Sequence, residues 1–483
     1  SGWPGPHKLE EGTFTTVSKT GTDDNREPND YCGSWGGAGV VMDRLVEERS
    51  AKETLINKIR EKTAVVGVVG LGYVGLPFAV EKARVGYRVI GIEQNPVRAE
   101  KVNRGENYIP DIKDEDLREL VGHGLIVADT GFERVPEMDV IVIAVPTPLT
   151  HNLTPDLRYV ERVTREIAKR LRPGQLVSLE STTYPGTTEE VMLPILESGG
   201  LKVEQDFFLA HSPERVDPGN KRYTTKNTSK VVGGVGPNSL EVAVAFYSQT
   251  IEKVVPVSSA KAAELVKVFE NTFRAVNIAL VNELTLLCDR MGLNVWEVLD
   301  AAFTKPFGIM PFYPGPGVGG HCIPIDPHYL EWKAKELNFN THFIALAGEI
   351  NRKMPEFVVE KASRILNEQG KALKGCRVLL LGVAYKANIG DYRESPAIEV
   401  FRLLKQRGAE VVYHDPYVLE FEAHGLRAQG VELTDEVLQE SDLVIITTDH
   451  KNVDYARVVA LAPLILDTRY ATRGFQSEKV ILL

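Results

Sequence analysis

The sequence predicts an α/β protein in which two doubly wound domains are joined by a long central helix and a helical middle domain. Strand-like apolar runs that end in polar loops occur early and late in the chain, as at Ala64–Val69 and Arg377–Leu381. Between them, Ala260–Met291 is the longest helical pattern and contains neither Gly nor Pro. A chain of 483 residues is also too long for a single core.

The chain divides into four predicted segments. Residues 1–41 are rich in Gly, Thr and Asp, and Met42 is the expected natural start, which makes these residues an extension or an added remnant. The first α/β domain is predicted over residues 42–257 and opens with an amphipathic helix between Asp43 and Lys62. The helical middle domain is predicted over residues 258–370, and the second α/β domain over residues 371–483.

Composition excludes several classes of protein. Hydrophobic residues make up 43% and charged residues 25% of the chain, as in ordinary globular proteins. The net charge is −10 without a Lys/Arg cluster, so neither nucleic acid nor a membrane is a predicted partner, although a few local cations would suffice for an anionic substrate. The apolar runs are too short to cross a bilayer, and no secretory signal is expected. The widely spaced cysteines predict reduced thiols in the cytoplasm and no metal site: Cys32, Cys288, Cys322 and Cys376.

A dinucleotide-binding fingerprint follows the first strand. Ala64–Val69 runs into Gly70-Leu71-Gly72-Tyr73-Val74-Gly75, a helical pattern follows, and a second strand, Arg88–Ile92, ends in Glu93. The glycines allow the turn, the approach of a pyrophosphate and close helix packing, and the helix N-terminus faces the phosphates. Glu93 would accept hydrogen bonds from the adenosine ribose and repel a 2′-phosphate. The predicted cofactor is therefore NAD rather than NADP.

Other strands of this domain also end in polar loops, where ligands of such sheets bind. Asp139–Ala144 leads to Thr147, and Gln175–Leu179 leads to Thr182, so both threonines are candidate cofactor contacts. Phe207–Ala210 leads to the loop with Glu214 and Arg215, which are either substrate contacts or a solvated pair. Their position at a strand exit favours the contact.

The long central helix and the loop after it carry the candidate chemistry. Lys267, Asn271 and Arg274 are spaced to share one face of the helix, which is long enough to join domains or to pack on a partner subunit. The loop Pro314–Pro327 presents Cys322 as a nucleophile and Asp326 as a group that could orient water or a proton. The alternative is a buried, inert cysteine beside a tight turn.

The last segment repeats the opening pattern with a changed fingerprint. The strands Arg377–Leu381, Val411–Tyr413 and Leu443–Thr447 match the first three in order, but the loop reads Gly382-Val-Ala-Tyr-Lys386 and is followed by an insertion containing Arg393. Glycines are lost and two cations are gained, which predicts that phosphates are held by charge. The helical region before this segment is expected to run to about Gln369, with Pro355 as a break.

Taken together, these motifs resemble the nucleotide-sugar 6-dehydrogenase family of UDP-glucose and UDP-N-acetylhexosamine dehydrogenases. The resemblance covers about Thr63 to Leu483. It rests on five motifs in combination: Gly70–Gly75, Val145–Pro148, Ser181–Gly186, Gly319–Asp326 and Gly382–Lys386.

The resemblance implies a four-electron oxidation of the sugar C6 hydroxymethyl to a carboxylate with two NAD. Cys322 would form a thiohemiacetal and then a thioester, Lys267 would supply positive charge for the thiolate and the oxyanion, and Asn271 would donate to the same oxygen. Asp326 would hold water, and Glu214 would act in thioester hydrolysis. The expected substrate contacts are Arg215, Lys267, Asn271, Gly319, Lys386 and Arg393.

The details favour the N-acetylhexosamine branch. Ser212–Asn220 and Thr304–Gly317 differ from the UDP-glucose branch, whose neighbouring-subunit arginine has no clear match here, although Lys305 is close. UDP-N-acetylglucosamine is the preferred substrate prediction, with the mannosamine epimer and UDP-glucose as alternatives. A homodimer through the central helix, or a higher oligomer, is expected. The rival functions are a two-electron hydroxyacid-type dehydrogenase, which needs no cysteine, and a non-catalytic nucleotide-sugar-binding protein, which should have lost part of the Lys267, Cys322 and Asp326 set.

Overall fold

The computed structural model describes residues 50–109, 112–150, 152–215, 223–320 and 322–483. Its secondary structure is mixed α/β, with two separate sheets of mainly parallel strands and a run of helices between them in sequence. The predicted fold class is confirmed. The predicted extension, residues 1–41, lies outside the described residues, as does the start of the predicted helix Asp43–Lys62, which is observed at Ala51–Arg60.

The first part of the chain alternates strands and helices. In chain order its elements are α1 (Ala51–Arg60), β1 (Val65–Val69), α2 (Gly75–Arg84), β2 (Arg88–Ile92), α3 (Pro96–Asn103), α4 (Asp114–Gly122), β3 (Ile126–Asp129), β4 (Val140–Ile143), α5 (Arg158–Ala168), β5 (Leu176–Leu179), α6 (Leu193–Glu197), β6 (Phe208–His211), β7 (Lys230–Gly234), α7 (Pro237–Tyr247) and β8 (Val254–Val257). A 3₁₀ turn at Val135–Glu137 and a π-helical turn at Thr187–Met192 complete it.

These strands form one sheet in the order β3-β2-β1-β4-β5-β6-β7-β8. Neighbouring strands are parallel except for β6 and β7. The central strands are apolar and buried because helices cover both faces, as the run Val65–Val69 predicts. The strand order reverses between β1 and β4, and in doubly wound folds the ligand crevice opens at such a point.

Four helices follow: α8 (Ala260–Met291), α9 (Val295–Ala302), α10 (Asp326–Glu336) and α11 (His342–Glu368). The Ser259 hydroxyl accepts a hydrogen bond from the Ala262 N–H and begins α8, and Gly292, at a φ of 69°, ends it. The predicted bounds of this helix agree with those observed. The domain boundaries at residues 42–257, 258–370 and 371–483 stay predictions.

The small residues of α8 are buried, whereas many of its large apolar side chains face outward. Phe269 and Leu280, for example, are 61% and 62% exposed. Much of the apolar surface of this helix is therefore uncovered within one chain. The outward-facing set is Leu265, Phe269, Phe273, Leu280, Leu287 and Met291.

The prediction that Pro355 breaks the following helical region is wrong, because α11 continues through it. Proline removes one hydrogen bond from a helix by lacking an N–H. Here the carbonyl of Asn351, four residues earlier, lies beside Gly317, and α11 packs along α8 over much of its length. This tertiary packing keeps α11 continuous.

The last part of the chain forms a second sheet. Its elements are β9 (Arg377–Leu381), α12 (Pro396–Gln406), β10 (Glu410–His414), β11 (Glu420–Ala423), β12 (Leu426–Gln429), α13 (Asp435–Gln439), β13 (Leu443–Ile446), α14 (Tyr455–Leu461), β14 (Ile465–Asp467) and β15 (Val480–Leu482). The sheet has the order β10-β9-β13-β14-β15 and is parallel throughout, and β11 and β12 form a separate hairpin. The order matches β2-β1-β4-β5-β6 of the first sheet. None of the described helices is long and apolar enough to cross a membrane.

Candidate active site

The loop between β1 and α2 has the geometry of a dinucleotide-binding turn. A Cβ on Gly70 would collide with the carbonyl oxygen of Ala144, and one on Gly75 with that of Gly70. A Cβ on Gly72 would meet no protein atom within 4 Å. A ligand can therefore approach the backbone of the turn at Gly72. Val74 precedes α2 and offers no side-chain cap, which leaves the helix N-terminus suited to a phosphate.

Glu93 lies at the end of β2 and is 8% exposed. Its carboxylate accepts hydrogen bonds from the backbone N–H groups of Leu71, at 3.3 Å, and Asn95, at 2.9 Å. A cleft of about 300 Å³ opens at this edge of the sheet, and its lining includes Gly72, Tyr73, Asn95, Arg98 and Lys101. An open glycine turn for the phosphates and a carboxylate for the ribose fit NAD.

We expect Glu93→Ala to raise the KM for NAD by about tenfold or more, because a hydrogen-bond acceptor for the ribose is lost. Affinity for the second substrate should change little, since Glu93 contacts the dinucleotide loop. Initial rates measured against NAD and NADP test this. A wild-type enzyme that works equally well with NADP, or a variant with an unchanged KM for NAD, contradicts the assignment.

Thr147 and Thr182 are brought together, as their strand exits predicted. The buried Thr147 hydroxyl donates to the Thr182 carbonyl at 2.7 Å. The Tyr329 hydroxyl on α10 donates to the Thr147 carbonyl and so ties both loops to the helix that follows the cysteine loop. The Thr147 hydroxyl is engaged within the protein, and direct contact of either threonine with the cofactor stays a prediction.

Asn271 and Asp326 meet in the core of the site. The Asn271 side-chain amide donates to Asp326 Oδ2 at 2.5 Å, and both residues are buried. Asp326 is the first residue of α10, and its backbone N–H donates to the carbonyl of Cys322 at 2.9 Å. The structure thus brings the predicted amide, acid and thiol together across α8 and the cysteine loop. Lys267, one turn before Asn271 on α8, acts electrostatically on both Cys322 and Asp326.

The surroundings of Cys322 and Asp326 shift the pKa of both side chains. Burial and the neighbouring Asp326 raise the pKa of Cys322 to about 11, against the opposing charges of Lys267, Arg393 and Arg274. Burial also raises the pKa of Asp326 to about 7, although the Asn271 amide and Lys267 oppose this rise. The cations thus favour the thiolate, as the resemblance implies, while burial and Asp326 oppose it, and the role of Cys322 as nucleophile stays a prediction.

Glycines of the cysteine loop lie against the C-terminal domain. A Cβ on Gly319 would come within 2.7 Å of the Tyr385 side chain, and one on Gly320 within 2.9 Å of its ring. The Gly320 N–H donates to the Arg393 carbonyl at 3.2 Å. The loop therefore needs glycine at these two positions for close approach. His321 lies outside the described residues.

The same loop is anchored to the central helices by amide side chains. The Gly315 N–H donates to Asn282 Oδ1 at 3.1 Å, and the Asn282 amide donates to Asn351 at 2.9 Å. The Asn351 amide in turn donates to the Ala275 carbonyl on α8. This buried chain of amides fixes the loop on α8 and α11.

Lys386 and Arg393 come from the loop after β9, as predicted, and Lys386 is half-buried there. The Arg393 guanidinium pairs with Asp391 at 2.6 Å and lies 5.2 Å from the centre of the Tyr73 ring in the dinucleotide loop. Arg393 thus connects the C-terminal domain to the first domain beside the cysteine loop.

The first turn of the second sheet donates its backbone amides to an acid, as in the first sheet. The backbone N–H groups of Val383 and Ala384 donate to the buried carboxylate of Asp415, at 2.7 and 2.9 Å. Burial acts to raise the pKa of Asp415, but hydrogen bonds from His450 and these amides hold it below its usual range. The Leu71 N–H donates to Glu93 at the equivalent point of the first sheet, so the two turns share this contact and differ in their glycines.

Glu214 and Arg215 lie beyond β6. Arg215 pairs with Glu270 on α8 at 2.6 Å and donates to the Ser229 carbonyl, so its guanidinium is held by the protein. Glu214 Oε1 accepts the Arg215 N–H at 2.8 Å. The rest of the predicted loop, residues 216–220, lies outside the described residues.

Sequence reasoning missed three charged residues near the site. Lys230, which begins β7, lies between Glu180 and Glu214. Arg469 follows β14 and approaches Gly315 of the cysteine loop. Glu180 and Arg469 follow the ends of β5 and β14, and this position could have marked them as candidates. Lys230 is the first residue of β7, and nothing in the sequence marked it. No described group of three His, Cys, Asp or Glu side chains could hold a metal ion.

Three stretches of the chain match successive domains of a single family. Residues 64–251 match the NAD binding domain, residues 261–353 the central domain and residues 379–474 the UDP binding domain of the UDP-glucose/GDP-mannose dehydrogenase family. The chain belongs to this family. It is an NAD-dependent nucleotide-sugar 6-dehydrogenase, and the predicted cofactor and enzyme class are confirmed.

Relatives of this nucleotide-sugar dehydrogenase carry several substrate names. The chain is 38% identical over 357 residues to the UDP-N-acetyl-D-glucosamine 6-dehydrogenase of Pseudomonas aeruginosa, covering 73% of this chain and 83% of that protein. It is 36% identical over 388 residues to the UDP-N-acetyl-D-mannosamine dehydrogenase of Pyrococcus horikoshii, covering 80% of this chain and 89% of that protein. A solved structure of the UDP-D-ManNAc dehydrogenase from that organism has a TM-score of 0.79 at 33% identity, covering 86% and 98% of the two chains.

Proposed function

We propose that this dehydrogenase oxidises the C6 hydroxymethyl of a UDP-N-acetylhexosamine to a carboxylate, with UDP-N-acetylglucosamine as the preferred substrate. The observation that carries the proposal is the grouping of Cys322 with the Asn271–Asp326 pair under the charge of Lys267. An alcohol dehydrogenase that stops at the aldehyde needs no thiol, whereas a four-electron oxidation needs a nucleophile that holds the aldehyde.

Bound NAD accepts a hydride in each of the two oxidations. In the first, Lys267 and Asn271 are assigned to orient the C6 oxygen and to stabilise its negative charge, while the hydroxyl proton passes to a water held by Asp326. Cys322 then adds through sulfur to the aldehyde carbon, and its proton passes to the Asp326 carboxylate, whose charge already acts on the thiol. The second oxidation leaves a thioester on Cys322. Water then adds to the thioester carbonyl with Glu214 as base, and the C–S bond breaks to release the hexuronate.

The UDP part of the substrate is assigned to the face between the cysteine loop and the C-terminal domain. Gly319 lies against Tyr385, and Lys386 and Arg393 come from the adjoining loop. Both cations suit a diphosphate. The match of residues 379–474 to a UDP binding domain supports this assignment.

The choice of sugar rests on the loop after β6 and on the relatives. Arg215 is tied to Glu270, the residue next to Asn271 on α8, so a change in this loop is transmitted to the site. Both relatives described above act, by name, on N-acetylated sugars. We therefore assign Arg215 to the acceptance of a 2-acetamido group.

A panel of UDP-sugars assayed for NADH formation tests the proposal. We expect UDP-N-acetylglucosamine to react faster than UDP-N-acetylmannosamine and UDP-glucose, with two NADH formed for each sugar. A faster reaction with UDP-glucose contradicts the assignment of the N-acetylhexosamine branch. A faster reaction with the mannosamine epimer contradicts the preferred sugar, and one NADH for each sugar contradicts the four-electron reaction.

We also propose a homodimer that buries the outward-facing apolar residues of α8. A row of exposed side chains such as Phe269 and Leu280 is unusual on a monomer surface. Sedimentation of the purified enzyme, which measures its mass in solution, tests the proposed dimer.

We also propose that the enzyme acts in the cytoplasm. The described cysteines, Cys288, Cys322 and Cys376, are free thiols, which fits that compartment.

A further inference from the structure

The buried ammonium of Lys230 lies between the carboxylates of Glu180 and Glu214. Lys230 begins β7, and its ammonium lies 3.0 Å from Glu180 Oε2 and 3.4 Å from Glu214 Oε2. Glu180 follows β5 and Glu214 follows β6, so three neighbouring strands supply the cluster. The side chains of Lys230 and Glu180 are 5% and 0% exposed, whereas that of Glu214 is 16% exposed. The cluster therefore extends from the core to a partly exposed carboxylate.

Stability alone does not account for such a cluster. Burying an ammonium and two carboxylates is costly, and apolar side chains of similar size are often as stable or more so. Burial raises the pKa of Glu180, and Lys230 opposes this rise. The adjacent His211 is neutral because burial and Lys230 lower its pKa to about 3. Burial also lowers the pKa of Lys82, the other buried lysine near Glu180. Burial opposes the charge of Lys230 too, but the two carboxylates raise its pKa, so the positive charge here belongs to Lys230.

The orientation of Glu214 is fixed at both oxygens. Oε2 faces Lys230, and Oε1 accepts the backbone N–H of Arg215. Arg215 is bound to Glu270 on α8, next to Asn271. The carboxylate is thus held relative to the helix that carries Lys267 and Asn271.

We propose that Lys230, held by Glu180, is a positioning residue that keeps Glu214 charged and oriented for hydrolysis of the Cys322 thioester. This inference rests on the proposed function. In this step a water oxygen bonds to the thioester carbon, and Glu214 takes the water proton. The C–S bond breaks, the Cys322 sulfur leaves as a thiolate and is reprotonated, and the sugar leaves as a carboxylate.

The test is the stoichiometry of a single turnover with the Lys230→Met variant. Both oxidations precede hydrolysis, so we expect a burst of two NADH per subunit at a rate within about threefold of wild type. Steady-state turnover should then fall at least about 100-fold, the usual effect of losing a general base. Intact mass should show the acyl group on the protein during the stalled phase.

Two further variants separate positioning from a structural effect. Glu214→Gln should stall in the same way, and the double variant should be no slower than either single variant, because both act on one step. Lys230→Gln removes the charge but keeps a polar side chain, and it replaces the methionine variant if that variant does not fold.

Lys361→Met is the matched control. Lys361 on α11 is also buried and also pairs with a carboxylate, Asp289 at 2.7 Å, but it lies outside the cluster. Its loss should lower thermal stability without a stalled phase. Normal turnover in both Lys230 variants overturns the inference. The inference also fails if the first NADH forms more slowly by the same factor as steady-state turnover. Absence of NADH from wild type with every UDP-sugar overturns the proposed function and this inference together.

Discussion

Cys322→Ser is expected to lower steady-state formation of the acid at least about a thousandfold. The Cys322 thiol already has a pKa of about 11, so it must lose its proton during attack. A serine hydroxyl is a much weaker acid and a poorer nucleophile, and its ester is less reactive than a thioester. The measurements are NADH released per sugar and the intact mass of the protein after mixing. Wild type should release two NADH without free aldehyde, and the variant fewer than two.

Cys376→Ser provides the matched control for this experiment. Cys376 is buried beside the second sheet, and its thiol donates to the Ala372 carbonyl at 2.9 Å, a bond that serine retains. The control should keep wild-type turnover. If Cys322→Ser also keeps near-normal turnover with two NADH per sugar, Cys322 is structural and the thioester route is wrong.

Asp326→Asn is expected to have opposite effects on activity and stability. Below a pH of about 7 the wild-type carboxyl is protonated and can neither take the thiol proton nor orient water as a base. The kcat/KM of wild type should therefore fall as the pH falls below about 7. The asparagine variant should lose at least about 100-fold in kcat/KM and should lack this pH dependence. A variant with the wild-type rate and pH profile contradicts the role of Asp326.

The stability effect follows from the raised pKa. Between its unfolded value of 3.8 and its folded value of about 7, the unfolded state releases the Asp326 proton first. This group therefore makes folding less favourable as the pH rises through that range, by up to about 4 kcal/mol. Asp326→Asn removes the ionisable group, so the variant should unfold at a higher temperature than wild type at pH 8 and show little difference at pH 4.

The same substitution at Asp289, which lies on α8, should have the reverse effect on stability. Burial acts to raise the pKa of Asp289, but hydrogen bonds from Lys361 and Arg364 hold it below its usual range. Asp289→Asn should lower stability at pH 8 and leave the pH dependence of kcat/KM unchanged. If Asp326→Asn is also destabilising at pH 8, the carboxylate is not strained in the folded state.

Sequence patterns predicted local chemistry better than they predicted electrostatics. Gly70–Gly75 and Glu93 could be assigned because the motif, the strand and the acid lie within about thirty residues of each other. The pairing of Asn271 with Asp326 joins elements 55 residues apart, and no spacing rule gives its distance. The raised pKa of Cys322 depends on burial, which a sequence does not show. A motif fixes which groups are present, but the packing around them sets their charge.

Pro355 and Lys230 show two other limits. A proline predicts a break from local geometry, whereas the packing of α11 on α8 and Gly317 keeps the helix continuous. Lys230 is the first residue of an otherwise apolar strand, and its partners follow two other strands. Its relation to Glu214 exists only because β7 pairs antiparallel to β6, a reversal that strand patterns did not predict.

The contact between the cysteine loop and the C-terminal domain bears on how the protein is made. Gly319 and Gly315 pack against Tyr385 and Arg469, and Arg469 follows Cys322 by about 150 residues. At the usual speed of a ribosome, Cys322 emerges roughly 10–30 s before Arg469. The contacts between the cysteine loop and the C-terminal domain can therefore form only late in synthesis, after the first domain has been made.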